Sequence, residues 1–340
     1  MNVKRVLDSL NLDQIRANLT IHYHQDGPGR NPVNPLAILK AQLAKHLLRI
    51  ISDRRLALRL KRDHKVARAC GFRRQTPSHG LFTHFRYRLG EETYIKIFNT
   101  LTRMLLESGT IIGKVVAVDS THLKAYSGRA MDNRTGRSDP DARVGRGRRG
   151  FILGYRVHIA CCTDSELPLA FTVAPCNEND KMYFEPLLEK VHRLGVGFRA
   201  VLADAQYSSV NVRDAAMWLG AEPVIPVRRD SRVKDALRVG RDFVAKGARR
   251  IVELFRKRWS IERLFGRAKE WLLLDGLRVR GLSQVFIHVS LSLISMLAVA
   301  LSAVRMGPLG RVRCIKGFVE CIADSEEACS GLSIALMVGF

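Results

Sequence analysis

Two short runs, Val115-Val116-Ala117-Val118-Asp119 and Ala200-Val201-Leu202-Ala203-Asp204, are apolar throughout and close on an aspartate. Apolar runs of this length, the first of them rich in β-branched side chains, predict strands covered on both faces. Buried strands of that kind belong to an α/β sheet, where ligands gather at the carboxyl ends. The two aspartates are therefore expected to point the same way, into one crevice. A chain of 340 residues is long enough for this sheet and a second domain.

Upstream, the pattern is helical. In Pro35 to Ser52 the Leu and Ile residues recur every three to four positions, and proline is tolerated at a helix start. Asp53 can cap a helix through Leu60, a second helix runs from about His64 to Cys70, Gly71 ends it, and Thr76-Pro77-Ser78 opens a third. The third carries Leu81-Phe82-Thr83-His84-Phe85-Arg86-Tyr87-Arg88, basic and aromatic. Residues 1–108 thus form an all-α region. Its stretch 53–90 reads either as a helix-turn-helix presenting Arg86 and Arg88 to DNA, or as a plain bundle whose arginines are solvated.

Downstream, Ser127 to Gly150 is rich in Gly and Arg and too polar for core; it is expected to be a loop that orders on DNA, with Arg146, Arg148 and Arg149 as phosphate contacts. Its Gly145-x-Gly147-x2-Gly150 spacing is not a dinucleotide fingerprint, which needs a strand before it and a helix after. Phe151 to Cys162 and Leu167 to Val173 predict an antiparallel pair. A helix from Lys181 to Leu194, a helix from Val210 to Leu219 and a strand from Pro223 to Val227 follow. Arg228 to Arg250 is a basic connector, Gly276 to Gly281 a break, and Val285 to Val304 an apolar helix. That helix is long enough to span a bilayer, but His288 and four serines favour burial in the protein. A catalytic domain over 109–304 without a large insertion and a tail over 305–340 complete the division.

Lys plus Arg is 56 against 32 Asp plus Glu, a formal +24, so the chain recruits polyanions by counterion release. Nucleic acid fits better than a membrane surface, because the basic residues are spread along the chain with no polybasic anchor. The seven cysteines form no CxxC pair, which argues against a zinc knuckle or a disulfide framework. With no apolar signal core at the N-terminus, a reducing cytoplasm and association with the nucleoid are expected.

Phe255 to Lys269 ties these threads together. On one continuous helix, at about 100° per residue, Phe255, Arg258, Glu262 and Lys269 share a face. An aromatic, a guanidinium, a lone carboxylate and an ammonium suit a phosphodiester and its metal ions better than they suit packing. Asp119, Asp204 and Glu262 would repel one another unless cations neutralised them, and oxygen-only ligation favours Mg²⁺ or Mn²⁺. Two such ions support in-line displacement at phosphorus.

Phe255-x2-Arg258-x3-Glu262-x6-Lys269 resembles the Tyr-x2-Arg-x3-Glu-x6-Lys signature of bacterial and archaeal insertion-sequence transposases of the DDE class. Asp119-Ser120-Thr121 resembles that family's first acid motif, Gly154-Tyr155-Arg156-x-His158 its G-Y-K-x-H strand, and Ala203-Asp204-x2-Tyr207 its second acid motif. The resemblance covers roughly 35–300 and departs at Phe255, which replaces Tyr and removes one hydroxyl. It implies an RNase H-like mixed sheet flanked by helices, with Asp119, Asp204 and Glu262 as ligands of two divalent ions. It further implies that Arg258 and Lys269 contact phosphates of double-stranded DNA, at the element's ends and at the target, and that a homodimer acts on paired ends. A metal-dependent nuclease of the same fold and a catalytically inert DNA-binding relative are the alternatives.

Taken singly, a strand-end Asp is more often a turn residue and a helical Arg/Glu/Lys set a surface ion-pair ladder. Their joint occurrence in order is what favours a site. Asp180 reads as the cap of the helix from Lys181 or as a supporting polar residue, His158 as a packed strand histidine, His22 and His24 as surface residues, and Cys161-Cys162 as alternating across a strand with one facing in.

Overall fold

The computed structural model describes residues 3–9, 13–23, 32–73, 75–147, 150–227, 248–307 and 312–315. Its centre is a mixed sheet built from β1 (Val115–Lys124), β3 (Gly150–Cys162), β4 (Pro168–Pro175), β5 (Ala200–Leu202) and β6 (Glu222–Val224), with β2 (Arg143–Gly147) also paired to β3. β3 runs antiparallel to β1 and β4, whereas β5 lies parallel to β1 and β6 parallel to β5. This is the expected RNase H-like arrangement, with helices α7 (Phe184–Arg193) and α8 (Val210–Trp218) in the crossovers.

Six helices precede the sheet: α1 (Val3–Ser9), α2 (Asp13–Thr20), α3 (Pro35–Leu47), α4 (Asp53–Arg62), α5 (His64–Cys70) and α6 (His79–Glu107). Ser52 caps α4, not Asp53, and Asp63 caps α5 through the amides of Lys65 and Val66. Gly71 closes α5 at φ +101, a left-handed conformation that costs glycine little. The long α6 is interrupted at Gly90, where φ is +63, so the predicted third short helix is its first segment.

After α9 (Ala248–Arg256) and α10 (Trp259–Trp271) comes α11 (Leu282–Arg305). This last helix is long and apolar enough to cross a membrane, yet its apolar stretch is entirely buried, packed on α1, α3, α6 and β4. Three of its polar side chains are satisfied by nearby carbonyls: Ser290 and Ser295 donate to those of Phe286 and Leu291, and His288 Nε2 lies 2.8 Å from that of Leu273, whereas Ser292 Oγ is buried without a partner among the described residues. It serves the N-terminal helices and the sheet as one continuous core.

Three local expectations are corrected. The polar stretch is folded over its described residues 127–147: β2 pairs with β3, and the fully buried Asp139 accepts from Tyr155 Oη (2.6 Å) and from the Gly281 amide (3.0 Å). A side chain at Gly145 would put its Cβ 1.9 Å from the Cys176 carbonyl oxygen, so close packing demands glycine there. Cys161 and Cys162 are both buried, because β3 is covered on both faces. Asn179, not Asp180, caps the turn at Lys181; Asp180 is itself buried against Arg156. Most of the predicted 228–250 connector and nearly all of the 305–340 tail lie outside the described residues.

Candidate active site

β1 is hydrogen-bonded to β5 only as far as Ala117↔Leu202, after which β5 ends and β1 runs on beside β3. Asp119 and Asp204 each lie two residues beyond that last pair, on adjacent parallel strands whose spacing is about 4.8 Å. The crevice left where β5 stops is where both carboxylates emerge. Asp119 Oδ1 accepts the Ser120 amide at 2.7 Å, and Asp204 caps a short 3₁₀ turn through the Gln206 amide at 2.9 Å.

Glu262 comes from α10, which packs against β1 and β3. Arg258, on the turn before α10, joins the two elements: it donates from Nη1 to Asp119 Oδ2 (3.2 Å) and from Nη2 to Glu262 Oε1 (2.6 Å). Its side chain is only 15% exposed and that of Asp119 20%, so this half of the bridge is less screened than a surface pair, while Glu262 at 39% is open to solvent. The predicted continuous helix is broken here, since Lys257 and Arg258 form a turn with i→i−3 bonds to Leu254 and Phe255. Phe255 therefore belongs to α9, and the four signature residues do not share one straight face. Contact between the first two survives as a ring over a guanidinium, with Arg258 Cζ 5.7 Å from the Phe255 centroid and 5.9 Å from Trp259.

Burial raises the Asp119 carboxyl to about 7; Asp204 and Glu262 push it further up while the Ser120 amide and Arg258 oppose them. Asp204 is raised as well, first by burial, against the Gln206 amide and Arg258. Like-charged acids thus crowd a poorly solvated crevice in which one guanidinium supplies the positive charge. Among the described residues no finished cage of metal-binding side chains is drawn together. The donor set nevertheless suits a hard divalent cation: it is all carboxylate oxygen, and Asp119 and Glu262 already share one cationic group, Arg258.

Beside the acids lies a second set of polar side chains, of which the sequence offered only Asp180 as a supporting residue. Arg156 on β3 pairs with the buried Asp180 (2.5 Å) and lies 2.9 Å from His122 Nε2 on β1. His158 is 3.7 Å from Asp180, but burial pushes its imidazole down to about 4, so it is a neutral neighbour and not an ion-pair partner. Tyr207 is fully buried, and its hydroxyl is raised well above the usual range, by burial first and then by Asp180, Asp119 and Asp204. The signals were present in Arg156-x-His158 and in the acid-rich Asn177 to Asp180, but nothing local says which of these turn inward.

The remaining candidates are scattered. Lys269 Nζ sits 3.4 Å from Asp275 Oδ1 and remains 30% exposed on the same helix as Glu262. Arg88 is exposed, stacked over Tyr23 at 4.7 Å, and Arg146 is exposed on β2. Arg86 is a correction: it is buried, bonded to Asp53 (2.8 Å) and Gln284 (3.1 Å), and its guanidinium is consumed in joining helices instead of facing DNA. Arg148 and Arg149 lie outside the described residues.

A sequence model described as "Transposase DDE domain" matches residues 112–298, and one described as "Transposase domain (DUF772)" matches 2–88. The comparison with curated proteins finds no match. Among solved structures, the chain is similar to the piggyBac transposase synaptic complex with hairpin DNA, at 9% identity and a TM-score of 0.45, covering 91% of this chain and 76% of that one. It is also similar to the catalytic domain of Mos1 mariner transposase, at 11% identity and a TM-score of 0.24, covering 55% and 95%. The Mos1 paired-end complex with left transposon end gives 13% identity and a TM-score of 0.22, covering 74% and 82%.

Proposed function

This chain belongs to the transposase DDE-domain family, and on that footing we propose that Asp119, Asp204 and Glu262 are the three acids through which it cuts and joins DNA. It is an insertion-sequence transposase, an enzyme of DNA cleavage and strand transfer acting at DNA ends. What supports the assignment of the acids is a single relationship: the Arg258 guanidinium, 139 positions from Asp119, bridges it to Glu262 beside the strand end that carries Asp204.

The family depends on divalent metal. We assign Mg²⁺ or Mn²⁺, two ions, to the three carboxylates; bound there, such ions supply the charge that lets oxygen be displaced at phosphorus. The protein's own residues do the rest. Asp119 and Asp204 are presented by adjacent strands, Glu262 by a packed helix, and Arg258 offsets their mutual repulsion. Lys269 and Arg258 grip phosphates next to the scissile bond, and Phe255 fills the aromatic position behind Arg258. Both chemical steps, attack by water on one strand and attack by the freed 3′-OH on target DNA, are in-line displacements at this one site, with the 3′-oxygen as leaving group each time.

The N-terminal helices, 1–108 in our division, bind the element's end. Their DNA-facing surface is the outer side of α4 and α5, where Arg54, Arg55, Lys61, Arg62, Lys65 and Arg68 are exposed. The only acids there are spoken for: Asp63 pairs with Arg59 at 2.8 Å, and Asp53 is turned inward. Two ends must meet one target, so the working unit is a homodimer on paired ends, in the cytoplasm with the nucleoid. A plasmid carrying two element ends tests the reading: joined products are expected, whereas nicks or breaks without joining would reduce the protein to a nuclease.

A further inference from the structure

We infer that the far end of β1 carries a second DNA contact, an arginine and aromatic platform that holds a strand with unpaired bases. This rests on the transposase reading but involves none of the residues assigned above to catalysis.

The platform starts at Tyr126, two residues beyond β1 and 41% exposed. Two guanidiniums lie over its ring, Arg278 at 4.8 Å and Arg280 at 5.0 Å from the centroid. Arg280 also donates from Nε to the Tyr126 carbonyl at 3.1 Å. The Ala125 amide bonds to the Leu153 carbonyl, so Tyr126 continues the ladder alongside the start of β3. There Phe151 is 69% exposed, opposite Arg146 in the β2–β3 register, and its carbonyl accepts from Arg129 at 3.0 Å.

Four features make this a place for a polyanion with stacking surfaces. Among the described residues Arg129, Arg146, Arg278 and Arg280 have no carboxylate partner. An exposed cation–π contact is worth only about 0.5–1 kcal/mol, too little to explain two like charges over a single ring. The nearby acids are engaged in fixing backbone: Asp139 holds the Gly281 amide at 3.0 Å, Asp141 the Leu282 amide at 2.9 Å, and Asp132 the turn at Arg134 and Thr135. Those bonds pin the segment bearing Arg278 and Arg280 to the segment before β2, so the platform is formed in advance of any ligand.

An exposed phenyl ring flanked by guanidiniums is the arrangement that single-stranded nucleic acid uses, with phosphates on the cations and a base on the ring. The 3′ end released by cleavage of one strand becomes such a strand once it unpairs from its complement. A duplex presents phosphates but no open base face, and so would engage the arginines alone.

The test compares the full-length protein with Phe151→Ala, Phe151→Tyr and Arg278→Ala/Arg280→Ala, using a fluorescent single-stranded oligothymidine and a blunt duplex over a salt series. Phe151→Ala is expected to weaken oligothymidine binding about tenfold without changing its salt slope, and to leave duplex binding unchanged. Phe151→Tyr should restore binding. The double arginine variant should flatten the single-strand salt slope by about 1.4, from two phosphate contacts at ~0.7 each. Wild-type-like oligothymidine binding by all variants would overturn the platform, as would a Phe151→Ala loss equal on both DNAs. Neither outcome touches the transposase reading, whose failure would be a wild-type protein that joins no ends.

Discussion

Arg258 Nη1 lies 3.2 Å from Asp119 Oδ2 and its Nη2 lies 2.6 Å from Glu262 Oε1, so a single side chain spans strand and helix. Arg258→Lys retains the charge but presents one point donor where the fork made two bonds. Cleavage of an element-end substrate should fall at least tenfold, about 1.4 kcal/mol or more in the barrier, while binding of the uncut end changes by less than half of that. Equal losses in binding and cleavage would leave Arg258 its phosphate contact alone and remove its role in holding the two acids.

Lys269 is partly exposed on the helix that bears Glu262, with Asp275 as its only charged partner among the described residues. If it grips a phosphate, Lys269→Ala should lower the slope of log affinity against log salt by about one unit. A binding titration from low to high salt reads this directly, and an unchanged slope would return Lys269 to its pair with Asp275.

Asp53 sits between Lys45 (2.7 Å) and Arg86 (2.8 Å). Burial would raise its carboxyl, but the two cations outweigh it and hold it at about 2. Asp53→Asn strands two buried charges, and chemical denaturation should report a loss of about 3–5 kcal/mol. In the native sequence the contribution is complete above the ordinary carboxylate range and disappears as pH falls through about 2.

His46 and His288 meet in the core with ring centroids 5.0 Å apart and planes tilted by 52°, against the carbonyls of Leu272 and Leu273. Burial holds His288 down to about 4 and His46 well below its ordinary 6.5, so the native state keeps both neutral. Between pH 6.5 and 4 the unfolded chain takes up protons that the native one refuses, and stability must drop as pH falls across that window. For His288 the drop is about 3 kcal/mol. Thermal melts between pH 7 and 5 should show the slope, and His288→Gln should make it shallower.

Sequence was informative where one residue's environment is written into its neighbours. The apolar runs around Asp119 and Asp204 could only be buried strands, and the Arg258, Glu262 and Lys269 spacing carried the family resemblance. It was silent where a polar residue's partner is remote. Arg86 looked like a DNA contact because its buried acceptor, Gln284, is 198 positions away. Ser127 to Gly150 looked too polar to fold because Asp139 finds the Gly281 amide 142 positions on. The break between α9 and α10 contains neither Gly nor Pro, so no local signal marks the turn that puts Arg258 between two acids.

The three acids are tested most directly by strand cleavage of an element-end duplex with Asp119→Asn, Asp204→Asn and Glu262→Gln, alongside binding of the same duplex. Each substitution keeps shape and removes one anionic ligand. Cleavage should vanish in all three while end binding stays within a few-fold of wild type. Cleavage persisting at wild-type rates in all three would contradict the assignment of this crevice as the place where DNA is cut and joined.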